Sequence, residues 1–306
     1  RMTTTPASDV ALRTEGLTKH YGDVRALVDL TLDVRPGEVF GFLGPNGAGK
    51  TTTIRCVMDE IRPTSGQASI LGMDCHAQSV EIRRHIGYLP SDLALYPNLT
   101  GKDTLTYFAN LRGGVDWQYV HELSERLGAQ LDKKVGDLSS GNRQKVGVVQ
   151  AFMNRPRLLI MDEPSNGLDP LVQREFQTMM REHVADGGSV FLSSHTLSEV
   201  QRVADRVGII RDGRLIALES VSSLRSKAMR RVELEFGTPI DASVFDGVSG
   251  VRDVVVEDHH AYLSYDGKMD ALLKRLADQY DVVDITTEEA DLEEIFLTYY
   301  REDVTV

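Results

Sequence analysis

Short, unbroken apolar runs recur along the first two thirds of the chain, and each ends in small, hydroxyl-bearing or charged residues. Val39 to Leu43, Leu158 to Met161 and Ser189 to Leu192 are of this kind. Runs that are apolar on both faces fit strands buried inside a parallel sheet, where ligands gather at the C-terminal strand edges. The first run leads into Gly44-Pro45-Asn46-Gly47-Ala48-Gly49-Lys50-Thr51-Thr52 and then into an apolar helical pattern, giving strand, loop, helix. Past about residue 229 the pattern changes. Val232 to Phe236, Val251 to Val256 and Ala261 to Tyr265 alternate or run as strands, with Asp258-His259-His260 as a turn. Leu272, Leu273, Leu276 and Tyr280 share one helical face, and Leu292, Ile295, Phe296 and Tyr299 another, with Val282 to Ile285 as a strand between them. The expected fold is α/β, with a small α+β unit at the C-terminal end.

The strand edges carry candidate chemistry. Glycines at 44, 47 and 49 leave room for backbone N–H groups to wrap a phosphate, and the following helix N-terminus adds partial positive charge. Lys50 is then expected to reach the β and γ phosphates of a nucleotide. Thr51 is expected to turn its hydroxyl toward the Mg²⁺ that bridges them. Asp162, at the end of the second run, suits Mg²⁺ directly or through water, and Glu163 suits polarising the water that attacks the γ phosphate. His195 follows Ser193-Ser194 at the end of the third run, either contacting the γ phosphate and the Glu163 region or serving structure alone.

These residues, in this order, resemble the ATP-binding subunit of ABC transporters over residues 10 to 220. Leu138-Ser139-Ser140-Gly141-Asn142 looks like the LSGGQ signature, and Asn166-Gly167-Leu168-Asp169 like the D-loop. Tyr21 sits where the family stacks an aromatic ring on adenine, and His195 at the switch histidine. The resemblance implies an ABC-type P-loop ATPase with a RecA-like core, an antiparallel β subdomain and a helical subdomain at about 92–150. It also implies ATP and Mg²⁺ as ligands. One phosphate loop and one signature per chain imply a second copy, so that Ser139, Ser140, Gly141, Asn142 and Asp169 face the partner's ATP. At the position where many members carry the Q-loop glutamine this chain has Ser91, whose shorter side chain implies a water-mediated Mg²⁺ contact or help from Asp92. Ser140 and Asn142 replace the usual Gly and Gln of the signature.

Leu93-Ala-Leu-Tyr-Pro-Asn-Leu-Thr-Gly101 resembles the version in ABC-2-type and drug-resistance exporters. It implies that Leu93, Leu95, Tyr96 and Pro97 lie near a groove receiving a polytopic membrane subunit, unless they merely pack the loop. Asp291 to Tyr299 is also similar to that group. The leading expectation is an ATP-hydrolysing exporter motor, and the alternative is a non-transport ABC ATPase acting on a cytosolic assembly.

Composition narrows the surroundings. The 306 residues carry a net charge of -12, and residues 227 to 306 hold 8 Lys and Arg against 19 Asp and Glu. That shift puts an expected boundary near Arg225 to Arg231, with domains at 10–225 and 229–306. The acidic tail repels phosphate backbones, so no nucleic-acid partner is expected. Thr3 to Ser8 lacks the apolar core of a signal peptide, and no apolar run is long enough to span a membrane. The expected location is cytoplasmic, at the inner face of the membrane through the membrane subunit. Cys56 and Cys75 are expected to be reduced packing thiols, and His259-His260 either a metal or pH site or a solvated turn.

Overall fold

The computed structural model describes residues 10–227, 230–267, 269–277 and 279–288. The helix expected across Leu292 to Tyr299 lies outside them. The chain divides into two compact units between Glu219 and Ser220, a few residues ahead of the charge shift.

In the first unit, β1 (Leu12–Tyr21) and β2 (Val24–Val34) form an antiparallel hairpin. β3 (Val39–Leu43) is buried along its whole length and feeds the glycine-rich loop and α1 (Lys50–Val57). β4 (Ser65–Ile70) and β5 (Met73–Asp74) return to the hairpin, giving an antiparallel sheet of order β2-β1-β4-β5. α2 (Ser79–His85) leads to β6 (Ile86–Leu89). Three helices follow: α3 (Gly101–Leu111), α4 (Trp117–Leu127) and α5 (Ser140–Phe152). The chain then alternates through β7 (Leu158–Asp162), α6 (Pro170–Ala185), β8 (Ser189–Ser194), α7 (Leu197–Val203), β9 (Arg206–Arg211) and β10 (Arg214–Ser220). The second sheet has the order β10-β9-β3-β8-β7-β6, and β6, β7, β8, β3 and β9 pair in parallel. β3, β7 and β8 are the three expected strands, and they lie side by side. Their C-terminal ends therefore open on one edge.

The three inserted helices start where short polar side chains can take up free N–H groups. Thr100 and Asp103 form a reciprocal capping box on α3, Asp116 caps α4 and Ser139 caps α5. Arg126 on α4 ties this layer to α6 by ion pairs to Glu175 at 2.5 Å and Glu182 at 2.6 Å. Below them His183, near the end of α6, meets the Phe152 ring edge-on at 5.8 Å, with no hydrogen-bond partner for Nε2. Burial lowers its pKa from 6.5 to about 4, against an opposing pull from Asp186. A base whose folded pKa is depressed contributes stability above its unfolded pKa and loses it as pH falls through the folded one. Acid should therefore cost about 2 to 3 kcal/mol at this residue between pH 6.5 and about 4. In His183→Leu that loss should vanish, seen as urea midpoints that differ less between pH 7 and pH 4.5 than in the wild type.

The second unit begins with α8 (Val221–Lys227) and continues through β11 (Arg230–Phe236), β12 (Val251–Glu257), β13 (His260–Tyr265), α9 (Met269–Ala277) and β14 (Val282–Glu288). Its strands make an antiparallel sheet of order β12-β13-β11-β14. Val232, Leu234, Phe236, Ala261 and Leu263 pack with Leu272 and Leu276 of α9 into a separate core. The expected strands and the first helix are present, with two differences. Tyr280 lies past the end of α9, and His260 opens β13 opposite Glu257 and Glu235 instead of completing the turn. Among the described residues no group of His, Cys, Asp and Glu is arranged to hold a metal ion, His259 and His260 included.

Cys56 and Cys75 are free and buried, and burial pushes their thiols up to about 11 and about 12. Neither forms a reactive thiolate at neutral pH. No described helix is long and apolar enough to cross a membrane.

Candidate nucleotide site

The loop after β3 needs glycine where its backbone turns into α1. Gly49 holds φ at 111°, and a Cβ there would lie 2.7 Å from the Ala26 carbonyl. As N-cap residue it offers no side chain, and the first turn of α1 has no acidic group. The N–H groups that Thr100, Asp116 and Ser139 satisfy on other helices are thus open to an anion here.

Lys50 is buried at the head of α1, where its Nζ donates to Gly44 O at 2.6 Å and Pro45 O at 3.2 Å. It also pairs with Glu163 Oε1 at 3.2 Å, while Glu163 Oε2 is 2.7 Å from His195 Nδ1. Lysine, glutamate and histidine therefore form one chain of contacts across the mouth of the loop. Glu163 reaches it from a left-handed backbone at φ 51°, and its N–H donates to Ser193 Oγ at 3.1 Å and Ser193 O at 3.2 Å. Thr51 Oγ1 donates to Asp162 Oδ2 at 2.7 Å, and the Ser193 hydroxyl donates to the other Asp162 oxygen. Ser193 thus orients both acidic residues, a role the sequence reading missed. A small polar residue ending an otherwise apolar buried strand was the available signal.

Tyr21, about half exposed at the end of β1, has Lys19 Nζ 5.0 Å from its ring centroid. Ser91 is exposed beyond β6, while Thr51 and Asp162 bond each other and Ser193.

The signature-like residues and the loop after Glu163 meet each other. Ser139 Oγ accepts from Asn142 N at 3.2 Å, leaving its own proton free to donate outward. Asp169 caps α6 through Leu171 N at 3.2 Å and Val172 N at 3.1 Å. The two segments touch at Gly141, where a Cβ would sit 2.5 Å from the Gly167 carbonyl. Gln144 Nε2 donates to Pro164 O at 2.9 Å, and Lys145 lies 4.0 Å from Asp169. These glutamine and lysine ties were not legible beforehand.

On another face, a groove of about 930 Å³ is lined by Met58, Glu60, Tyr88, Leu93, Leu95 and Phe108, among others. Leu93 and Leu95 are among its lining residues. Tyr96 and Pro97 are not, and Tyr96 instead meets Tyr107 edge-on at 5.5 Å.

Residues 27–166 match the ABC transporter family. Over 295 residues the chain is 34% identical to a bacitracin transport ATP-binding protein of Bacillus licheniformis, covering 94% of this chain and 96% of the relative. A bacitracin transport ATP-binding protein of Enterococcus faecalis is 32% identical over 254 residues, 82% of each chain. A solved ATP-binding subunit of an ABC transporter has the same fold with a TM-score of 0.65 at 32% identity, over 71% of this chain and 92% of that one. The glycine-rich loop, the two adjacent carboxylates and the likeness to a relative over 94% of this chain and 96% of that one agree, and the chain belongs to the ATP-binding subunits of ABC transporters.

Proposed function

We propose that this protein is the ATP-hydrolysing motor of an ABC-2-type exporter, working as a pair of copies beneath a polytopic membrane subunit. The observation that carries the reading is similarity to a bacitracin transport ATP-binding protein along almost the whole of both chains. Within one copy, the uncapped start of α1 and Lys50 bind the β and γ phosphates, and Tyr21 takes the adenine ring. Thr51 and Asp162 supply hard oxygen donors that suit Mg²⁺, with Ser91 a more distant, water-mediated contributor. When bound, that ion neutralises charge between the phosphates.

Glu163 accepts the proton of the attacking water, and His195 holds the carboxylate in place and senses the γ phosphate. Before it can do so, Glu163 has to leave Lys50, which turns to the incoming phosphates. The Ser139 hydroxyl, the N–H groups at Ser140, Gly141 and Asn142, and Asp169 complete the second copy's site. Closure of the pair on ATP and release after hydrolysis make a two-state switch. The groove containing Leu93 and Leu95 seats the membrane subunit, with Tyr96 and Pro97 at its margin. Residues 10–225 act as the ATPase domain and the acidic residues 229–306 as an accessory domain. The protein then works at the inner face of the membrane.

Mild detergent extraction of the native membrane should recover a polytopic protein in fixed ratio with this chain. Bacitracin is the first cargo to test in cells carrying both. Recovery of a soluble partner with MgATP hydrolysis intact would instead favour a cytosolic assembly.

A further inference from the structure

The groove that holds Leu93 and Leu95 combines two chemistries. Val80 and Leu111, 69% and 66% exposed, line it together with Phe108 and give it apolar walls. Its charged lining is Arg83, Arg84 and Arg112 against the one carboxylate of Glu60, a cationic patch in a chain whose net charge is -12. Two of these charges are already answered: Glu60 lies 3.9 Å from Arg55, and Arg84 pairs with Glu81 at 2.9 Å. Arg112 is different. It is the half-buried C-cap residue of α3, and its Nη1 donates at 2.9 Å to the carbonyl of Ile86, where β6 begins. Among the described residues no carboxylate pairs with it, and desolvation lowers its pKa with nothing opposing. The guanidinium still carries its charge at neutral pH. Arg83 is likewise held by backbone, donating at 3.0 Å to the carbonyl of Met58.

A guanidinium offers five N–H donors in a fixed fork, and the Ile86 carbonyl occupies one side of it, so the rest is aimed and unanswered. A partly desolvated cation without a counter-charge costs free energy that an incoming carboxylate recovers. The apolar walls suit side chains spaced along one face of a helix. We propose that the groove selects an amphipathic helix of the membrane subunit whose apolar face carries a carboxylate seated on the Arg112 guanidinium, with Arg83 as a second cation for it. The proposal rests on the groove being the seat of the membrane subunit. Arg112 then determines specificity, because a helix with an amide or a cation at that point leaves the guanidinium covered and unpaired.

Overlapping peptides from the cytosolic segments of the membrane subunit, titrated against the full chain by fluorescence anisotropy, test this. One peptide should bind, and replacing one of its Asp or Glu residues by Asn or Gln should weaken it at least about tenfold, the effect of losing a hydrogen bond to a charged group. Arg112→Gln should cost the acidic peptide a similar factor, yet bind the amide peptide within about twofold of the wild type, as partners in one interaction do. Arg83→Gln leaves the Ile86 carbonyl bonded, and it too should weaken the acidic peptide more than the amide one. Equal binding of acidic and amide peptides to the wild type overturns the proposal and leaves the docking reading standing. Binding of phosphatidylglycerol vesicles through Arg112, with acidic peptides unable to compete, overturns it in favour of a lipid headgroup. A chain that binds none of the peptides and captures no membrane protein removes the docking reading, and the proposal with it.

Discussion

Glu163→Gln should abolish ATP turnover while leaving ATP bound. Glutamine has the shape of glutamate, so the left-handed backbone at 163 and its bonds to Ser193 are undisturbed. What goes is the proton acceptor, and removing a general base lowers the rate by a factor of about 10² to 10⁴. The substitution has a second effect, because Glu163 is ion-paired with Lys50 at 3.2 Å. With the negative charge gone, Lys50 loses the buried carboxylate that competes with the phosphates for it, and ATP affinity should rise several-fold. Phosphate release should fall to background, and light scattering should detect an ATP-dependent pair of copies that persists. Turnover within about tenfold of the wild type would remove Glu163 from its assigned role.

Lys50→Ala should have the opposite signature, with ATP binding itself weakened by about a hundredfold or more. Truncating one member of a desolvated, hydrogen-bonded charge pair costs about 2 to 5 kcal/mol. Here it also leaves the Glu163 carboxylate facing the phosphates without its cation. The two residues should therefore be non-additive: Lys50→Ala combined with Glu163→Gln should bind ATP more tightly than Lys50→Ala alone, because the uncompensated carboxylate has gone. Equilibrium binding of a fluorescent ATP analogue measures all three proteins, and circular dichroism checks that α1 is retained. Binding that is additive across the cycle would mean that the Lys50–Glu163 contact has no influence on nucleotide entry.

Much of this site was legible because its chemistry is local. The glycine spacing, the strand before it and the helix after it occupy one short segment, and Asp162 and Glu163 end a run too apolar to be anything but a buried strand. Contacts between distant segments were not legible. Ser193 looks like any strand-end serine until β7 and β8 pair and bring it to both carboxylates. Tyr88 and Glu60 lie far apart in sequence and come together only as lining residues of one groove. In the second unit, hydrophobic alternation revealed the strands but not their ends. His260 looked like a turn residue beside Asp258 and His259, yet its pairing with Glu235 and Glu257 makes it the start of β13. The boundary shows a similar limit: charge changes near Arg225 to Arg231, whereas the compact units part just ahead of α8.

The meeting of Gly141 with the Gly167 carbonyl also sets which letters of the signature are free to drift. Position 141 is closed to every side chain by a neighbour in its own chain, 2.5 Å from where a Cβ would be. Ser140 is exposed beside it and Asn142 is only partly covered. The chain's two departures from the usual spelling thus fall where the fold imposes no veto, and its one retained glycine where it does. A library randomised across 139 to 142 and selected only for folding should return every residue type at 140 before it returns anything but glycine at 141.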